Sequence, residues 1–397
     1  MKNNVRSVVE RVINDVRKRG DAALIGLLKK HDKINLSAKK LRVSPDRIHR
    51  APRNISPEMR RALDACARRI QDFHYQEKKH APQSWTYLKE GVRLGQNYSP
   101  VSSVGIYVPG GRFSYPSTVL MTAIPARLAG VERIAIVTPP ARLTEEILAA
   151  ASIAGVNEIY QVGGPGAIAA LAVGTKTIAP VDLIVGPGNA YVTEAKRQLF
   201  GEVGIDLLAG PSELVVLADD SARPEFVAAD MAAQAEHDPD SRSVLISLSK
   251  ALINKVKTHL PKSIAVQCDL LYEPDMRRAA KKADALAGEH VQVMLRRPQE
   301  SLDYLKNGGT FFLDNWSPAV MGDYWAGPSH VLPTGRSARF GSGLSVMTFL
   351  RRSSFVDISS GAFKKGAPAA LQLAEAEGLV KHARAIQVRL NESGEDQ

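Results

Sequence analysis

Apolar residues recur at helical spacing in the first segment. Val5, Val8, Val9, Val12, Ile13 and Val16 fall on one face, and Gly20 stops the run behind Arg17, Lys18 and Arg19. A second helix is predicted from Asp21, and another from Ser56, with Pro57 at its first position and Leu63, Ile70 and Phe73 along it. Residues 1–104 therefore read as an N-terminal helical cover. From residue 104 the texture changes: VGIYV, RIAIVT, EIYQV and DLIV are short apolar runs separated by Ala-rich helical stretches such as STVLMTAIPARLAG and EEILAAASIAG. Repeated β-α-β order implies a parallel sheet, giving a Rossmann-like lobe over 105–211. The alternation restarts with ELVVLAD, the helix RPEFVAADMAAQAEH, VLIS and a helix near 249–259, giving a second α/β lobe over 212–344. Residues 345–397 read as a helical tail with Leu371, Leu373, Leu379 and Ile386 as its apolar positions, free to dock on its own chain or on a partner. The fold class expected is α/β: two Rossmann-like lobes with parallel-type sheets between helical ends.

Composition narrows the class. The 397 residues are 44% hydrophobic, enough for more than one core. Charges interrupt the first twenty residues and no run of eighteen apolar residues follows, so a cytoplasmic enzyme with no membrane partner is expected. Cys66 and Cys268 are the only cysteines, which argues against a disulfide scaffold and excludes a Cys-rich zinc site; a bound metal must take N and O ligands. The net charge is +11, but its carriers, among them Arg11, Arg17, Lys18, Arg60, Arg61, Arg68 and Arg69, are spread over helical faces without aromatic interleaving. Nucleic acid is therefore not an expected partner.

Three Gly/Pro-rich turns close strands of the first lobe: Pro109-Gly110-Gly111, Gly163-Gly164-Pro165-Gly166 and Gly186-Pro187-Gly188-Asn189. They belong at the sheet end where open α/β folds bind ligands. Gly164, Gly166 and Ala169 satisfy G-x-G-x-x-A, with Asp182 eighteen residues beyond Gly164 as a weakly placed ribose acid. Of the nine histidines, His31, His49, His74, His80 and His259 read as surface or capping residues. His237, His290, His330 and His382 stand beside polar groups or in Gly/Pro-dense turns. Gln234 and His237, three apart near a helix end, can face one ion. Glu289-His290 places a carboxylate beside an imidazole, a pairing suited to general acid-base work. Gln234 and His237, with Asp323 and one more histidine, would suit zinc or a similar divalent ion.

The segments VGIYVPGG, STVLMTAIPARLAGV, GPGNAYVTEAKRQLFG, DLLAGPSELVVLAD, AAQAEHDPDS, GEHVQV, MGDYWAGPSHVLPTGRSARF and AEAEGLVKHA resemble the histidinol dehydrogenase family in order and spacing over nearly the whole chain. The resemblance implies one zinc ion per subunit on Gln234, His237, Asp323 and His382, and a catalytic pair of Glu289 and His290. It implies a substrate site lined by Ser212, His330 and Glu377 with the metal ligands and His290, and NAD contacts at Tyr107 and Asn189. It further implies a homodimer in which Glu377 and His382 reach the neighbouring subunit's site. In one continuous helix these two would point about 140° apart, so the chain must bend, and Gly378 is the place for it.

Two positions depart from the family pattern. Gly166 stands where the family usually has an amide that contacts NAD, and Gly288 stands where Pro commonly precedes the catalytic Glu. The activity implied is oxidation of L-histidinol to L-histidine through the aldehyde, the last steps of histidine biosynthesis, with two NAD consumed. The alternatives are a paralogue acting on another small alcohol, such as a sulfonated propanediol, and a metal hydrolase that uses no nicotinamide.

Overall fold

Val9, Ile13 and Val16 are fully or almost fully buried on the helix Lys2–Arg19, as their spacing requires. They join Leu24 and Leu28 in one apolar cluster with Ile168, Leu171 and Tyr107 of the first lobe. The computed structural model describes residues 2–110 and 114–392, without the side chains of Lys2, Asn3, His237 and Glu392. After the helix Asp21–Leu27 the chain widens into a π-turn, Leu28–Asp32, which the left-handed Lys33 ends. The helix Pro57–His80 buries Leu63, Cys66, Ala67 and Ile70. His74, which the sequence places among surface or capping residues, is buried on the same face, and its Nδ1 lies 2.5 Å from the Glu77 carboxylate. A charged neighbour one helical turn away is what makes that burial tolerable.

The expected helical cover ends at His80. Trp85–Lys89 (β1) and Val92–Pro100 (β2) form an antiparallel pair instead. Ser103–Tyr107 (β3), Arg133–Thr138 (β4), Glu158–Gln161 (β5), Leu183–Val185 (β6) and Gly204–Ile205 (β7) make the first sheet, all parallel, in the order β5-β4-β3-β6-β7. Glu213–Ala218 (β8), Arg242–Ser247 (β9), Cys268–Tyr272 (β10), His290–Met294 (β11) and Thr310–Leu313 (β12) make the second, also parallel, in the order β10-β9-β8-β11-β12. The central strands β3 and β8 are buried on both faces, which is why they read as near-continuous apolar runs; β11 is buried along its whole length although it carries His290 and Gln292.

The chain divides into two compact units, Met1–His80 with Val101–Phe349, and Ala81–Pro100 with Leu350–Gln397. The larger holds both parallel sheets. In the smaller, Leu350–Ile358 (β13) pairs antiparallel with β2, so the tail opens with a strand where helix was expected. β1 is exposed at every position and β13 almost so, which leaves little hydrophobic alternation to read. The helices Ser360–Ala376 and Val380–Glu392 follow, and the chain does bend at Gly378, whose φ is +71°. No helix of the described residues is long and apolar enough to cross a membrane.

Candidate active site

At the carboxyl end of the first sheet the described parts of the three Gly/Pro turns surround a cavity of about 520 Å³, whose other wall comes from the N-terminal helices. Tyr107 ends β3 with its phenol buried there, accepting a hydrogen bond from the Gly164 N–H at 3.1 Å. Burial pushes that phenol above its ordinary pKa. Asn189 caps the helix Ala190–Leu199 through Oδ1, which accepts from Tyr191 N at 3.0 Å and Val192 N at 3.2 Å. Both expected cofactor residues line this one cavity. Gly186 closes against β3, where a Cβ would come 2.3 Å from the Tyr107 carbonyl, and its φ of +104° excludes most other residues. Gly166 also lines the cavity, and a Cβ there would sit 2.6 Å from Leu27, so apolar packing stands beside the position where the family amide is missing.

Asp182 is a correction. It precedes β6, at the amino end of the sheet, and its carboxylate accepts from the N–H and hydroxyl of Ser103 at 2.9 and 2.8 Å. There it joins β6 to β3 and cannot serve as the ribose acid of that cavity.

The second cluster lies at the amino ends of β8 and β11. Adjacent parallel strands put Ser212 and Glu213 beside Glu289 and His290, with His290 in register with Leu214. The Glu289 carboxylate accepts from Glu213 N at 3.1 Å and from the Ser212 hydroxyl. Burial nevertheless drives its pKa from 4.5 to about 8, with Asp323 adding repulsion. The His290 ring is buried, with Nδ1 3.9 Å from Glu289 and its ring centroid 5.9 Å from that of Phe312.

His290, Asp323 and His330 meet around a void of about 10 Å³. Asp323 is buried on the short helix Ala319–Tyr324, which packs against the helix Pro224–His237. His330 Nδ1 lies 3.2 Å from the Asp323 carbonyl, and Nε2 lies 3.1 Å from the Thr118 hydroxyl. Gln234 is buried, and its Nε2 finds no hydrogen-bond partner among the described residues. The backbone of His237 ends the same helix, but its side chain lies outside the described residues. Glu377 and His382 belong to the smaller unit, where both are exposed beside Leu379 and Val380, which are 40% and 76% exposed. Among the described residues no three His, Cys, Asp or Glu gather as a metal cluster. The expected ligand set includes a glutamine, the undescribed His237 side chain and a residue of the other unit.

Three further groups had no signal in the sequence. Thr118 reaches His330 from a helix more than two hundred residues earlier. Asp32, half-buried on the π-turn, lines the cavity together with His31. Lys196 and Asp206, each 2% exposed, pair at 2.6 Å, and the ammonium also donates to the Gly186 carbonyl at 2.7 Å. That pair braces the turn that carries Asn189. The basic helical faces are partly neutralised in place: Arg17 pairs with Glu202, Arg60 with Asp64 at 2.9 Å, and Arg69 stacks on Trp325 at 4.0 Å.

Comparison with known proteins shows the family. The model described as histidinol dehydrogenase matches residues 1–390. A histidinol dehydrogenase of Rhodospirillum rubrum is 44% identical over 99% of this chain and 94% of its own length, and one of Caulobacter vibrioides is 44% identical over 98% and 93%. The crystal structure of histidinol dehydrogenase from Elizabethkingia anophelis superposes with a TM-score of 0.90 at 35% identity, covering 98% of this chain and 93% of that one.

Proposed function

The chain belongs to the histidinol dehydrogenase family of oxidoreductases, and from that premise we propose that it oxidises L-histidinol to L-histidine in two NAD-linked steps at a zinc site, in the cytoplasm. The observation that carries this reading is the convergence of Glu289, His290, Asp323 and His330 at one buried place in the larger unit.

Gln234, His237 and Asp323, with His382 of the partner subunit, would hold the zinc. The buried Gln234 amide and the buried Asp323 carboxylate suit an ion held by N and O donors. Bound there, zinc would supply a Lewis acid that orients the substrate through its imidazole and amine nitrogens. NAD, held by Tyr107 and Asn189, would supply the hydride acceptor for each of the two oxidations. His290 is placed to take the alcohol proton in the first, and Glu289 to take a proton from the water whose oxygen adds to the aldehyde carbon in the second. Glu289 is suited to that step because burial lifts it to about 8, a much stronger base than an exposed carboxylate. Ser212 and Glu213 keep its carboxylate fixed, and Thr118 orients His330 against the substrate. Tyr107 and Asn189 face the cofactor from the cavity of the first lobe. Glu377 and His382 complete the site from the second protomer of a homodimer, and the exposed Leu379 and Val380 beside them support that docking.

The substrate is tested by NADH formation from L-histidinol and from a sulfonated propanediol under the same conditions. A kcat/KM for histidinol higher by orders of magnitude is the expected result; the reverse preference would make the chain a paralogue with another alcohol substrate.

A further inference from the structure

The cavity of the first lobe accounts for binding a dinucleotide but leaves open which one. In a βαβ dinucleotide site a carboxylate placed after the Gly-rich turn accepts from the ribose hydroxyls, and a basic residue there accommodates a 2′-phosphate. Here the lobe's own candidate acid, Asp182, is bound to Ser103 at the opposite end of the sheet. The carboxylate that does line the cavity is Asp32, brought in from outside the lobe by the π-turn Leu28–Asp32. Among the described residues its carboxylate makes no ion pair or hydrogen bond, so both oxygens remain available as acceptors. It lies close enough to the Tyr107 phenol for its charge to raise that group's pKa, which sets it in the same space as the expected cofactor contact.

No lysine or arginine is among the described residues that line the cavity. Arg142 comes near through its Nε, 3.4 Å from the Gly110 carbonyl, but is not part of the lining. His31 also lines the cavity, and its charge, when present, opposes the effect of burial on Asp32. A nucleotide with a 2′-phosphate would bring a charge of about −1.5 to −2 beside the Asp32 carboxylate, and the like charges would repel.

We propose that Asp32 is the residue that selects NAD over NADP, accepting hydrogen bonds from the ribose hydroxyls of the dinucleotide and repelling a phosphate at that place. The proposal rests on the reading of this cavity as the cofactor site. Its test is equilibrium binding of NAD and of NADP, by calorimetry on the metal-loaded protein without alcohol, for the wild type, Asp32→Asn and Asp32→Ser. The wild type should bind NAD at least about tenfold more tightly than NADP, the scale of one charge-assisted hydrogen bond. Both variants should bring the two affinities to within a few-fold, with an unchanged unfolding midpoint showing that the half-buried site is intact. Variants that keep the wild-type preference would overturn the role of Asp32 while leaving the cofactor reading standing. A wild type that binds neither nucleotide would remove the cofactor reading, and the role of Asp32 with it.

Discussion

The Glu289 carboxyl carries a burial cost that its hydrogen bonds from Glu213 N and Ser212 do not cancel, since its pKa settles at about 8 instead of 4.5. The folded state therefore holds this proton more tightly than the unfolded chain. Stability from the group is fully present below about pH 4.5 and is lost as the pH rises to about 8. Glu289→Gln cannot ionise and should abolish that loss. In urea unfolding of the metal-free protein, the variant's midpoint should gain on the wild type between pH 5 and pH 9, and a difference constant with pH would contradict the burial argument. Activity has the opposite sign, because a general base must be ionised. Glu289→Gln should slow aldehyde oxidation far more than alcohol oxidation, and equal slowing of both would remove its water-activating role. Thr118→Val removes the hydroxyl 3.1 Å from His330 and should raise the KM for histidinol several-fold, as a lost hydrogen bond of about 1 kcal/mol implies, with kcat changed less. Glu289-His290 was legible because the two are adjacent in the chain. Thr118, Asp32 and Lys196 were not, since their roles come from contacts between elements remote in sequence.

Elements that bury both faces or one helical stripe were the readable ones. The strands β3–β6, β8 and β9 and the helix Pro224–His237 follow from apolar runs, whereas β7 and β10–β12 have no such run to mark them in the sequence analysis. The strands β1, β2 and β13 were missed because a largely exposed antiparallel layer has little apolar patterning: β13 carries Arg351, Arg352, Ser353 and Ser354 in succession. The bend at Gly378 was readable from the need to turn two side chains by about 140°, and the positive φ there bears it out. The Lys196–Asp206 pair links the helix Ala190–Leu199 to the Gly186 turn and to the segment after β7. Removing one partner leaves the other charge buried alone, so Lys196→Met should cost about 3–5 kcal/mol in urea unfolding. Adding Asp206→Asn should restore part of it; additive losses would mean that the two side chains do not act as a pair.

At the scale of the whole molecule, the proposed metal ligands are named from both compact units, Gln234, His237 and Asp323 from the larger and His382 from the smaller, and the proposed dimer would supply Glu377 and His382 across protomers. His237→Ala and His382→Ala proteins, each inactive, should regain activity when their subunits are exchanged. A mixed dimer places both lesions in one site and none in the other, so random reassortment restores roughly a quarter of the sites. No recovery after verified exchange would mean that each site is built from one chain. The central claim, a four-electron oxidation at a zinc site, is tested most directly by the yield of NADH per L-histidinol consumed, before chelation, after it, and after zinc is restored. The account requires two NADH per histidinol, turnover lost with the metal, and both recovered with zinc. A yield of one, or full turnover in metal-free protein, would contradict it.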